Sequence, residues 1–189
     1  MAAVLVGTMI SGRPNFMTVT HTGVLHFGDP RYLTINAAKV HASNTAIRAN
    51  GTFSVNIPSV ELVQETDYCG LCTGSTTDKS SLFDVFFGTL PAAPMIDACP
   101  INIECLLYET IDFPSHYLFI GEIIEAYCDD EVMTDGTVDF IKVRPLLCDM
   151  QKLRYFSIGT PVARCWKAGN DPKISMVDRS DTTCSTNHW

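Results

Sequence analysis

Apolar residues along this chain recur mostly at every second position, in short runs closed by Gly, Pro, Asn or Asp, and that pattern predicts strands. Seven runs carry it: 4–10, 15–28, 32–38, 53–58, 101–111, 117–128 and 139–147. They are rich in β-branched and aromatic residues, which suit a pleated, half-buried surface. Helical spacing is rarer. Residues 43–51 read as a short helix with Ser43 as N-cap and Gly51 at its left-handed C-terminal position. Residues 59–68, capped by Ser59 with Leu62 and Val63 on one face, read as a second helix, and 78–87 as a third. Strand after strand with a few short helices predicts a mainly β fold, a closed or nearly closed antiparallel barrel. Past Gly159 the pattern dissolves. The reading is one domain over 1–169, followed by a polar, turn-rich tail over 170–189.

One run raises a question. In GRPNFMTVTHTG, residues 12–23, the hydroxyls of Thr18, Thr20 and Thr22 alternate with Met17, Val19 and His21. Thr is common in strands, so the row is either ordinary β-propensity or a face turned toward a polar, planar ligand.

Composition narrows the field. With 189 residues, 46% hydrophobic and 18% charged, the chain is long enough to bury a real core. A net charge of −8 without a Lys/Arg cluster argues against a nucleic-acid partner. The first ten residues are apolar but lack a positively charged start, and no other stretch is long and apolar enough for a membrane helix. The expectation is a soluble cytoplasmic protein with no membrane partner. Its eight cysteines, at 69, 72, 99, 105, 128, 148, 165 and 184, are too sparse for a disulfide scaffold and read as reduced thiols.

The candidate chemistry is local. Cys69 and Cys72 form a C-x-x-C, but a helix precedes the pair where a thioredoxin-type motif needs one to follow. No second pair completes a zinc set, so chance pairing is the better reading and no metal is expected. The small-residue loop CTGSTTDKS, with Thr73, Gly74 and the cation Lys79, suits a phosphate, although a surface loop has the same composition. Lys39, Ser43, Asn44 and Thr45 gather at the start of the 43–51 helix, where amides and dipole favour an anion. His116 opens a strongly apolar strand, where a purely structural histidine is also common.

In order along the chain, GRPNFMTVTHTG, ASNTAIRANGTFSVNIPS, DYCG with TG and DK after it, SHYLFIGE and YFSIG resemble the flavin reductase-like family, and most of all its flavoredoxin branch. The resemblance runs from about Val4 to Gly159. It implies a six-stranded Greek-key split barrel, a homodimer and a non-covalent FMN near the subunit interface. By position it implies that Asn15, Met17, Thr18, Val19 and Thr20 line the flavin ring, partly through strand amides. Ser43, Asn44 and Thr45 match the family's phosphate turn, with Lys79 adding charge at the phosphate or ribityl chain. Cys69 and Gly70 match a pair near the cofactor, and His116 matches the histidine beside the flavin, where nicotinamide would stack. Two positions depart from the family: Ser75 stands where a basic residue is frequent, and Cys72 where an aliphatic one is usual.

Three readings follow from the resemblance. The first is an oxidoreductase of the flavin reductase type that takes electrons from NAD(P)H. The second is an electron carrier served by a redox protein, with no NAD(P)H turnover of its own. The third is a barrel without bound flavin.

Overall fold

The computed structural model describes residues 1–165, 167 and 168. Met1–Ile158 form one compact unit, and the expected tail over 170–189 lies outside the described residues. Strands β1 (Val4–Ile10), β2 (Arg13–Val19), β3 (Thr22–His26), β4 (Tyr32–Ala38) and β5 (Thr52–Ile57) come first. A short hairpin of β6 (Val85–Phe86) and β7 (Met95–Ile96) follows, then a long one of β8 (Ile101–Asp112) and β9 (His116–Cys128). The main sheet runs β2-β1-β5-β8-β9-β4-β3, with every neighbouring pair antiparallel.

The fold is mainly β and antiparallel, as expected, but the 15–28 run is not one strand. It breaks at Thr20–His21, and its halves, β2 and β3, are the two opposite edges of the sheet. Laid flat, seven strands would hold those edges about 29 Å apart. The chain from Val19 to Thr22 spans at most about 10 Å. The sheet must therefore roll until its edges meet at this bend. The sheet has seven strands, where six were expected, because β2 and β3 are separated by the bend.

Rolling creates an inside. Val4, Val6, Met17, Val19, Ile35 and Phe53 meet there, with Phe119 and Cys105 from the long hairpin. The opposite side of β1 and β2 is also covered: Leu5 and Phe16 pack with Cys69, Phe83, Ile96 and Cys99. Burial on both faces explains why the start of β1 reads as an unbroken apolar run.

Helix α1 (Ser43–Asn50) ends as predicted: Gly51 is left-handed, with φ 68°, and its N–H donates to Ile47 O at 2.9 Å. Its start differs, because Ser43 is the first helical residue and caps nothing. Helix α2 (Val63–Leu71) begins later than expected, after a 3-10 turn over Val60–Leu62, and extends far enough to include Cys69 and Gly70. Ser59 makes no side-chain cap bond.

Two predicted elements are corrected. Residues 78–87 are turns that lead into β6. Asp78 Oδ1 accepts the Ser80 N–H at 2.9 Å, an N-cap-like bond that no helix follows. Past the small pair β10 (Met133–Thr134) and β11 (Thr137–Val138), the predicted 139–147 strand begins as helix α3 (Phe140–Val143). Asp139 caps it by accepting the Ile141 N–H at 2.9 Å, and Arg144 ends it with φ 50°. Extended chain resumes only at β12 (Leu147–Asp149), paired with β13 (Arg154–Phe156).

Candidate functional site

The β1–β2 turn and the loop over 74–79 enclose a cleft of about 310 Å³, lined by Arg13, Pro14 and Asn15 on one side and Gly74 to Lys79 on the other. Asn15 lies beneath the loop: a Cβ on Gly74 would collide with its Oδ1. Its Nδ2 donates to Ser43 Oγ at 2.9 Å, tying β2 to the first turn of α1. Asn44 is buried beside it and donates to Ala38 O at 2.7 Å, while its Oδ1 is buried with no partner among the described residues. Thr45, in the same turn, is exposed.

Lys79 is the most unusual group. It is 3% exposed, and its Nζ donates to Phe16 O at 2.5 Å and Cys72 O at 3.0 Å. Neither acceptor carries a formal charge. Burial pushes the ammonium pKa down, opposed by Cys69 and Cys72. The bond to Phe16 O also shows how the edge strand is turned. Backbone groups alternate sides along an antiparallel strand, so Phe16 and Thr18 face away from β1 while Met17 and Val19 face it.

That alternation sorts the expected residues. Met17 and Val19 put their side chains into the inner core and their amides toward β1, so neither offers a ligand a group. The hydroxyls of the row have protein neighbours in this fold. Thr18 Oγ1 donates to Thr66 O, Thr22 Oγ1 to Thr34 O at 2.9 Å, and Thr20 Oγ1 lies 3.4 Å from His21 Nδ1. Cys69 is buried in the second core, its thiol pushed up to about 11 chiefly by burial. Gly70 faces β2, where a Cβ would lie in ordinary contact with Thr18, 3.4 Å from its Cβ. Lys39 is paired with Asp112 and sits over the Tyr117 ring at 5.0 Å. The Thr73 loop is self-contained: Thr73 O accepts the Thr76 and Thr77 N–H groups at 3.2 and 3.0 Å.

What remains together is Asn15, Ser43, Asn44, the loop at Gly74, Lys79 and the outward edge of β2. The chain matches the model of the flavin reductase like domain over residues 1–156. It belongs to the flavin reductase-like family. Among solved structures it is similar to a flavoredoxin of Methanosarcina acetivorans, with 39% identity, 90% of this chain and 91% of that one covered, and a TM-score of 0.87. A flavoredoxin of Desulfovibrio vulgaris (Miyazaki F) is 30% identical over 89% of this chain and 92% of that one, with a TM-score of 0.82. An Archaeoglobus fulgidus protein of unassigned role is 27% identical over 69% of this chain and 75% of its own length.

In this flavin reductase-like chain one site residue escaped the sequence reading. His41 is half-buried just before α1, where its carbonyl accepts the Asn44 N–H at 3.2 Å. Burial lowers its pKa below 6.5, reinforced by Lys79 and then His116. His41 thus links the Lys79 side of the site to His116, whose Nδ1 lies 2.8 Å from Ser115 Oγ at the start of β9. The only sequence signal for it was its position two residues ahead of Ser43.

Proposed function

We propose that this chain is a redox flavoprotein that holds FMN non-covalently at the mouth between β2, the start of α1 and the 74–79 loop, and passes on electrons received from NAD(P)H or a redox protein. The observation that carries the reading is Lys79: a buried cation with only neutral acceptors, next to a helix start, in a flavin reductase-like chain. A phosphate supplies the negative charge such a cation lacks. Asn44 Oδ1, buried and unpartnered, calls for a donor, and a ribityl hydroxyl provides one.

Bound flavin supplies the hydride and electron chemistry. The protein's part is to position and exclude. Phe16 and Thr18 present outward amides along the β2 edge, Ser43 and Thr45 the open turn of α1, and Lys79 a fixed charge. His116 borders the approach from β9. No side chain here is asked to act as a nucleophile. As an enzyme the chain is read as an NAD(P)H:FMN oxidoreductase, and the absence of NADH turnover would select the carrier role. We read it also as a cytoplasmic homodimer. The exposed apolar Val24, Leu25 and Phe27, along β3 and just past it, give a second copy a surface to cover.

The test is the visible spectrum of the protein after incubation with FMN and desalting. A retained flavin spectrum near one per chain supports the reading, and NADH or NADPH oxidation then separates reductase from carrier. A colourless protein overturns tight FMN binding.

A further inference from the structure

The C-x-x-C pair finds a setting in the fold that sequence alone did not give it. Cys69 lies in the last turn of α2, and Cys72 is the residue that closes the helix, its N–H donating to Tyr68 O at 3.0 Å. Three helical positions separate their Cα atoms by about 5 Å on one face, inside the range a disulfide spans. The thiols differ in access: Cys69 is 1% exposed, whereas Cys72 is half-buried. Between them and the cleft stands Lys79, bonded to the Cys72 carbonyl at 3.0 Å.

We propose that Cys69 and Cys72 form a reversible dithiol–disulfide couple, with Cys72 as the entering thiol, Cys69 as the resolving thiol and Lys79 as the cation beside them. The oxidant is a low-molecular-weight disulfide. The Cys72 thiolate attacks one of its sulfurs and expels one thiol, leaving a mixed disulfide on Cys72. Cys69 then gives up its proton and attacks the Cys72 sulfur, expelling the second thiol. The protein loses two hydrogens, and the external disulfide is reduced to two thiols.

Electrostatics set the character of the couple. The C-terminus of a helix disfavours a thiolate, the opposite of the thioredoxin arrangement. Lys79 works against that, since its charge pulls the Cys69 pKa down while burial holds it near 11. With so high a pKa little of Cys69 is thiolate, so the bond forms slowly; once formed, Cys69 is a poor leaving group when a monothiol attacks Cys72, so the bond resists reduction. Cys72 also carries the carbonyl that anchors Lys79, so the redox state of the pair bears on the position of the 74–79 loop.

The test uses the full chain, exposed to oxidised glutathione, quenched in acid, alkylated and mapped by peptide mass. Wild type is expected to give a peptide in which Cys69 and Cys72 are linked, short by two hydrogens and restored by dithiothreitol. Cys69→Ser is expected to trap glutathione on Cys72. In Cys72→Ser, Cys69 should stay unmodified, which keeps the test valid if Cys69→Ser does not fold. Lys79→Gln should slow disulfide formation about tenfold, with rescue by Lys79→Arg. A wild type in which Cys72 holds glutathione without resolving, or stays untouched, overturns the couple; so does modification of Cys69 in Cys72→Ser. An unchanged rate in Lys79→Gln removes Lys79 from it. Because the readout is peptide mass without flavin, this result stands or falls separately from FMN binding.

Discussion

Two buried charges in this protein are treated in opposite ways. Glu104, on β8, is fully buried, yet its carboxylate accepts the Thr89 N–H at 2.9 Å, the Leu90 N–H at 2.8 Å and the Tyr127 hydroxyl at 3.0 Å. Lys79 is almost as deep, but it meets two neutral carbonyls, and Asn44 nearby keeps an unpartnered oxygen. A closed polar cluster rigidifies what it joins; an open one is costly unless something else completes it. Glu104 therefore reads as a fastener between β8 and the 88–90 turn, and Lys79 as half of a binding site.

The largest effect should come from breaking the closed cluster. Glu104→Ala removes the shared acceptor of three part-buried donors and leaves a void in its place, and should cost about 2–3 kcal/mol of stability, measured by urea unfolding. Any FMN affinity should persist in the fraction that remains folded. Lys79→Met should show the reverse. FMN affinity should fall about 10–100-fold, as expected for a lost charge-assisted bond. Stability should change far less than in Glu104→Ala, since the desolvation penalty of the cation leaves with it. Equal stability losses in the two variants would erase the distinction.

A gentler probe is pH. The folded state lowers the pKa of His41 below 6.5, so between that lowered value and 6.5 the unfolded chain binds a proton that the folded chain refuses. Stability should climb as pH rises through this window and level off above it, and His41→Gln should flatten the curve. The smallest effect belongs to the rim. Arg13 and Asp78 pair across the cleft mouth but are largely exposed, and Arg13→Ala should leave the urea midpoint unmoved.

The strands were legible because β-branched and aromatic runs mark them, and along β4 alternation reports burial directly; in β8 the buried positions include the polar Asn102 and Glu104. The errors lie where side chains overruled the pattern. The apolar residues at 139–147 look strand-like, but one carboxylate, Asp139, starts a helix turn. The row of Thr18, Thr20 and Thr22 is split between β2, the bend and β3, and what each hydroxyl meets depends on α2 and β4, which no local pattern records. Lys79 was found as a cation, but its burial was hidden because its acceptors are backbone carbonyls. His41 carried no motif at all.

The bend at Thr20–His21 bears on how relatives of this chain can differ in length. Two residues join the opposite edges of one sheet, so an inserted residue there would force β2 or β3 out of register and turn core side chains outward. The tip over 113–115, between β8 and β9, joins neighbouring strands rather than sheet edges and is held to Lys39 by one backbone bond, so extra residues there need not shift either strand. Length variation should therefore collect at the hairpin tip and spare the bend, leaving a fixed count between Val19 and Thr22 as a marker of the fold.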